Sequence, residues 1–201
     1  MILAFIIYLL PTFAHEYFGK VKTRIIMNKF EDLACRRRSC RAFADGDISA
    51  EDVRLILQAA LMSPSSMGRR SWQFVVVDDK VLLEKLADAK DFGADFLRGA
   101  AFGVVVAGDS LGNDCWIEDC SIAALMMQLQ AEDLGIGSCW AQMRGRGLSD
   151  GTLAEDVVRG ALGIPDGLGV LCVIGFGRKK EEQEGHDEES LKWENVHINK
   201  Y

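Results

Sequence analysis

The stretch Trp116–Leu134 constrains this chain more than any other. Ile117, Ser121, Ala124, Leu125, Gln128 and Ala131 recur at helical spacing, and the pattern ends at Gly135. Small and apolar residues continue almost all the way round, so this helix is expected to be central and buried rather than laid on a surface. Three short runs stand ready to cover it: Trp72–Val77, Ala101–Ala107 and Gly169–Phe176, each β-branched or aromatic and each reading as a strand. A buried helix among a few core strands means an α+β or α/β domain.

The remaining elements are shorter. Residues 28–35 carry a helical stripe through Phe30, Leu33 and Ala34. Ser49 is placed to cap a helix with Val53, Ile56, Leu57, Ala60 and Leu61 on one face, and Pro64 stops it. Residues 80–98 give a second helical pattern, 138–143 a strand or extended segment, and 152–162 another helix before the Gly163–Gly167 turn. The tail, 178–201, is highly charged but interspersed with Leu191, Trp193, Val196 and Ile198. Those residues suit an anchor docked on a neighbour, with disorder the alternative at the acidic start.

Length and composition bound the rest. A chain of 201 residues buries enough surface to hold a core without disulfides or metal. With 49% hydrophobic and 26% charged residues, it is neither disordered, collagen-like nor a coiled coil. A net charge of −7 argues against nucleic acid as the main partner. Six cysteines without a C-x-x-C pair read as free thiols in a reducing cytosol, with no metal site, and hence a cytoplasmic protein.

The first 26 residues look foreign to the rest of the chain. Their apolar run is too short for a membrane span, and no Lys or Arg precedes Lys20 as a secretory signal would require. The open readings are a stretch upstream of a natural start at Met27, an apolar arm, or a signal. The expected organisation is therefore a 1–26 extension and a 27–201 domain.

Conventional catalysis is poorly supplied. There is no G-x-G-x-x-G between strand and helix, no G-x-x-x-x-G-K-[ST], no H-E-x-x-H and no G-x-S-x-G. The histidines that might serve a triad, His186 and His197, lie in the charged tail, where a general base would not be held by packing. Such a chain borrows its chemistry from a cofactor. Three features suit an anionic ligand: the cluster Arg36–Arg41 with Ser39 embedded in it, the polar loop Ser63–Trp72, and the cations Arg178, Lys179 and Lys180 at a strand end. Taken singly, each reads more simply as an exposed charged face or an ordinary turn.

Their order carries more than any one of them. Arg37-Arg38-Ser39-Cys40-Arg41-Ala42-Phe43, Pro64-Ser65-Ser66 through Trp72-Gln73-Phe74, Trp116-Ile117-Glu118-Asp119, Leu134 through Trp140, and Leu191 through His197 succeed one another over some 170 residues. In this, the chain from Met27 resembles the FMN-dependent nitroreductase family, in its shorter single-domain form.

The resemblance implies an α+β three-layer sandwich: a central, mostly antiparallel sheet flanked by helices, in an intertwined homodimer with FMN at the interface. It implies that Arg37, Arg38, Ser39 and Arg41 approach the FMN phosphate, ribityl chain and pyrimidine edge. Pro64, Ser65, Ser66 and Gly68 would come from the partner subunit, with Arg70 or backbone replacing the contact that Gly68 loses. Trp140, Ala141, Gln142 and Met143 would lie against the isoalloxazine, and Arg178 with Lys179 would complete the phosphate site. NADH or NADPH would deliver a hydride to flavin N5, and a nitroaromatic or quinone acceptor would then take its place, in ping-pong order. Arg41 is the candidate to stabilise the negative charge of reduced flavin. The chain departs from many relatives at Gly68 and Arg70, where they carry Asn and Gln, and at Met126, where they carry Asn. The departures at Gly68 and Arg70 keep open a flavin-binding protein without turnover, and an FMN enzyme with an enone or haloaromatic acceptor is the rival within the same fold.

Overall fold

The computed structural model describes residues 29–201, of which Asp32–Tyr201 form one compact unit. The 1–26 extension lies outside the described residues. The elements in chain order are α1 (Lys29–Arg36), β1 (Phe43–Ala44), α2 (Ala50–Leu61), β2 (Trp72–Val77), α3 (Lys80–Ala87), β3 (Phe102–Asp109), α4 (Trp116–Asp133), β4 (Ile136–Gln142), α5 (Ala154–Leu162) and β5 (Leu168–Lys179). No helix among the described residues is long and apolar enough to cross a membrane.

β5 organises the sheet. Its 12 residues pair with β3 on one side and β4 on the other, β3 pairs in turn with β2, and β1 joins the far end of β5 at Arg178 and Lys179. Every strand pairing is antiparallel. Val104, Val106, Cys172 and Ile174 pack with α4 on one face, while Val105 and Val173 pack with α3 and α5 on the other. The strand runs are apolar without alternation because both sheet faces are covered. The result is the expected three-layer α+β sandwich.

Glycines set how closely α4 docks. A Cβ on Gly169 would stand 2.6 Å from the Trp116 indole, and one on Gly108 would stand 2.7 Å from Cys120 Sγ. The sheet is hollowed at two adjacent strands to admit the first turns of the helix, a close approach that only glycine permits.

Two expectations are modified. The helical pattern over 80–98 is interrupted: α3 ends at Ala87, Gly93 adopts φ +77°, and the chain resumes as a 3-10 turn at Asp95–Gly99. Phe96 and Leu97 still reach the core from that turn. α4 buries one face but leaves Ile122 and Leu125 exposed at 39% and 47%. The tail leaves Leu191, Trp193, Val196 and Ile198 exposed as well, around two 3-10 turns.

Candidate functional site

The site is assembled on β4. Ser39 bridges Ser138 in parallel, and the Cys40 amide donates to the Ser138 carbonyl at 2.9 Å. A Cβ on Gly137 would meet Cys40 Sγ at 2.8 Å, so Gly137 is what lets this segment lie flat on β4. The Arg-rich motif and the Gly-Ile-Gly-Ser-Cys motif, about a hundred residues apart in sequence, are thereby one surface.

The cations of this surface are unevenly engaged. Arg37 is half-buried and Arg41 exposed, and neither has a carboxylate within ion-pair distance among the described residues. Arg38 donates to the backbone carbonyls of Glu184 and Gly185, at 3.1 and 3.5 Å, and so ties down the start of the tail. Arg178 donates to the Asp47 carbonyl at 3.1 Å. Lys179 reaches Glu132 Oε1 at 2.9 Å and Glu182 at 3.3 Å, where it serves the fold.

A further cation escaped the sequence reading. Lys90 is half-buried, and burial together with nearby Arg146 lowers its pKa. Both Arg41 and Lys90 act electrostatically on Cys139 of β4, whose thiol is pushed up by burial and drawn back by Arg41 first. Arg41, Lys90 and Arg146 each lack a carboxylate within ion-pair distance among the described residues. Nothing in the local sequence marks Lys90: it comes after a helix that was expected to continue, and its place became visible only with the break at Gly93.

Downstream on β4, Trp140 Nε1 donates to Gln142 Oε1 at 2.9 Å, and Gln142 Nε2 donates to the Arg144 carbonyl at 3.1 Å. Ala141 and Met143 are buried among α5 and β5 residues, and the Met143 amide donates to the Leu171 carbonyl at 3.1 Å.

The Pro64–Arg70 loop lies elsewhere. The Ser66 amide donates to Asp119 Oδ1 at 2.7 Å, and Ser65 Oγ accepts from the Arg70 amide at 3.0 Å. Pro64 and Gly68 are exposed. Asp119 is in the first turn of α4, whereas Arg36, beside the Arg motif, sits 3.5 Å from Glu132 in its last turn. At 1.5 Å per residue, the two motif pieces are about 20 Å apart along one helix. One chain does not bring them together.

The sequence profile of the Nitroreductase family matches residues 34–90 and 87–178, and the chain belongs to that family. A protein of Archaeoglobus fulgidus, provisionally named an NADH dehydrogenase/NAD(P)H nitroreductase, is 36% identical over 154 residues, 75% of this chain and 86% of the relative. The structure of an FMN-dependent nitroreductase from Clostridium difficile R20291 superposes with a TM-score of 0.82 at 40% identity, covering 84% of this chain and 98% of the other. A nitroreductase-type structure from Desulfovibrio desulfuricans in complex with FMN has a TM-score of 0.70 over 87% of this chain and 98% of that one. At 24% identity it speaks for the fold alone.

Proposed function

We propose that this chain is an FMN-dependent NAD(P)H oxidoreductase that works as a homodimer and reduces nitroaromatic or quinone acceptors in ping-pong order. The single observation that carries the reading is the docking of the Arg-rich segment on β4 at Ser138, with Arg37 and Arg41 lacking a carboxylate within ion-pair distance among the described residues, in a chain whose net charge is −7. A phosphate dianion and an electron-rich ring are the ligands such a surface suits. Arg37 and Ser39 would hold the phosphate and ribityl end, and Arg41 with Lys90 the ring edge where reduction leaves negative charge. Bound FMN supplies a two-electron carrier between NADH or NADPH and the acceptor. The backbone of Trp140–Met143, rigid within the sheet, orients the ring, and Arg178 neighbours the phosphate end.

Two features support a second copy. Ile122 and Leu125 are exposed on α4, and Leu61 and Met62 at the end of α2 are exposed at 59% and 66%. The Pro64–Gly68 loop, about 20 Å along α4 from the Arg motif, reaches such a site only from a partner.

The test is the absorption spectrum of the desalted protein, repeated with NADH or NADPH added under anaerobic conditions. Flavin bands that bleach support the reading, and screening of acceptors then separates nitroaromatics and quinones from enones and haloaromatics. Flavin bands that persist favour the binding protein without turnover, a reading sustained by Gly68, which lacks the side-chain amide that many relatives offer there. No flavin retained after reconstitution overturns the proposal.

A further inference from the structure

The loop between α2 and β2 has an unusual backbone. Met67, Gly68 and Arg70 adopt φ of +52°, +66° and +52°, so three residues within four positions are left-handed and two of them carry side chains. Non-glycine residues persist there only where the surroundings over-determine them. Those surroundings are a buried polar pair on the other side of the loop. Asp119 and Asn113 are exposed at 3% and 1%. Asp119 Oδ1 accepts from the Ser66 amide at 2.7 Å, and its Oδ2 accepts from Asn113 Nδ2 at 2.9 Å. Asn113 Nδ2 also donates to Ser71 Oγ at 2.7 Å, while Asn113 Oδ1 accepts from Arg69 at 3.2 Å and from the Cys115 amide at 3.1 Å.

We propose that Asp119 and Asn113 are positioning residues that clamp both ends of the 66–71 loop, holding its left-handed turn in ligand-ready form before cofactor arrives. The identity of that ligand rests on the flavin reading above; the clamp itself does not. Asp119 grips the loop's first amide and Asn113 its last hydroxyl and Arg69, so the loop is fixed from both sides by one carboxylate–amide contact. Neither residue touches the cations on β4. Their effect on binding is therefore indirect: a pre-ordered loop spares the ligand the entropy of ordering it.

The pair also has a defined donor–acceptor polarity, which gives a selective test. Asp119→Asn keeps the shape but can set an amide against the Asn113 amide, and Asn113→Asp sets two carboxylates together. The double exchange, Asp119→Asn with Asn113→Asp, restores one amide and one carboxylate in contact, and the Ser71 hydroxyl can turn to donate. The first measurement is hydrogen exchange of the peptide covering 63–72 in the flavin-free protein. Exchange is expected to be slow in the wild type, faster by about tenfold in either single variant, and slow again in the double exchange. The second is the dissociation constant of FMN, expected to rise about tenfold in each single variant and to return in the double exchange. Unchanged loop exchange in both single variants overturns the clamp, as does faster exchange spread evenly over the sheet, which marks a general structural role. If the wild type binds no FMN, the function proposed above falls while the exchange measurement still decides the clamp.

Discussion

Lys179 Nζ lies 2.9 Å from Glu132 Oε1, joining the last residue of β5 to the last turn of α4 through a pair whose side chains are only 12% and 4% exposed. The contact explains why a cation at the end of a core strand, which reads from sequence as phosphate-binding, is spent inside the molecule. Burial pulls the Lys179 pKa down, but hydrogen bonding and attraction to Glu132 outweigh it and raise the value from its ordinary 10.5. A raised lysine contributes stability that is full below the unfolded value and is lost as pH climbs through the folded one. Lys179→Met is expected to cost about 3 kcal/mol near neutral pH, because Glu132 is left buried with only Arg36 at 3.5 Å. The difference in melting temperature from wild type should shrink above pH 10.5, and a constant difference would separate Lys179 from the alkaline loss.

Lys90 should show the opposite balance between stability and binding. Burial and nearby Arg146 disfavour its charge, so Lys90→Met is expected to stabilise the flavin-free protein. If Lys90 faces the flavin as proposed, the same change should weaken FMN binding by about tenfold. Calorimetry of the free protein and a flavin titration read the two effects separately.

Gly169→Ala places a methyl where the Trp116 ring stands 2.6 Å away. An overpacked contact against a rigid indole is expected to cost about 2 kcal/mol in urea denaturation. Trp116→Phe should recover part of that loss in the double variant, giving a non-additive cycle.

If the bare α4 stripe meets a second copy, Ile122→Glu combined with Leu125→Glu should halve the mass measured by light scattering. FMN retention should fall with it, because the Pro64–Gly68 loop would no longer reach the Arg motif. A dimer that survives both substitutions would move the interface elsewhere.

The cysteines offer a simple check of burial. Cys120 is pushed up to about 12 by burial, and Cys172, fully enclosed, is raised well above its ordinary value. Cys35 is exposed. Iodoacetamide at pH 8 should modify Cys35 in the folded protein and reach Cys120 and Cys172 only after denaturation, as mass spectrometry of the peptides would show.

Periodicity and capping carried most of the element reading. Ser49 does cap α2, accepting from the Asp52 amide at 3.0 Å, and the apolar runs at 72–77, 101–107 and 169–176 are β2, β3 and the middle of β5. The two-residue β1 was illegible because it has no pattern of its own: Phe43 and Ala44 are a strand only because β5 runs on past the end of β3. The break after Ala87 was hidden for a related reason. Phe92, Phe96 and Leu97 sustain a helical spacing, and Gly93 turns the chain although the spacing continues.

The candidate site divides in the same way. Which residue types bind an anion is a matter of local chemistry, and Arg37, Ser39, Arg41 and the Pro64–Ser66 loop stand out along the chain without any coordinates. Which of several cations remains available is a matter of neighbours: Arg38 is drawn to tail carbonyls and Lys179 to Glu132, while Lys90 is half-buried in a segment that announces nothing. Hydrophobic pattern and turn chemistry act over a few residues, so they can be read in one dimension. Charge pairing, close approach at Gly137 and Gly169, and the span of about 20 Å between the two halves of the motif act through space, and only the folded chain sets them.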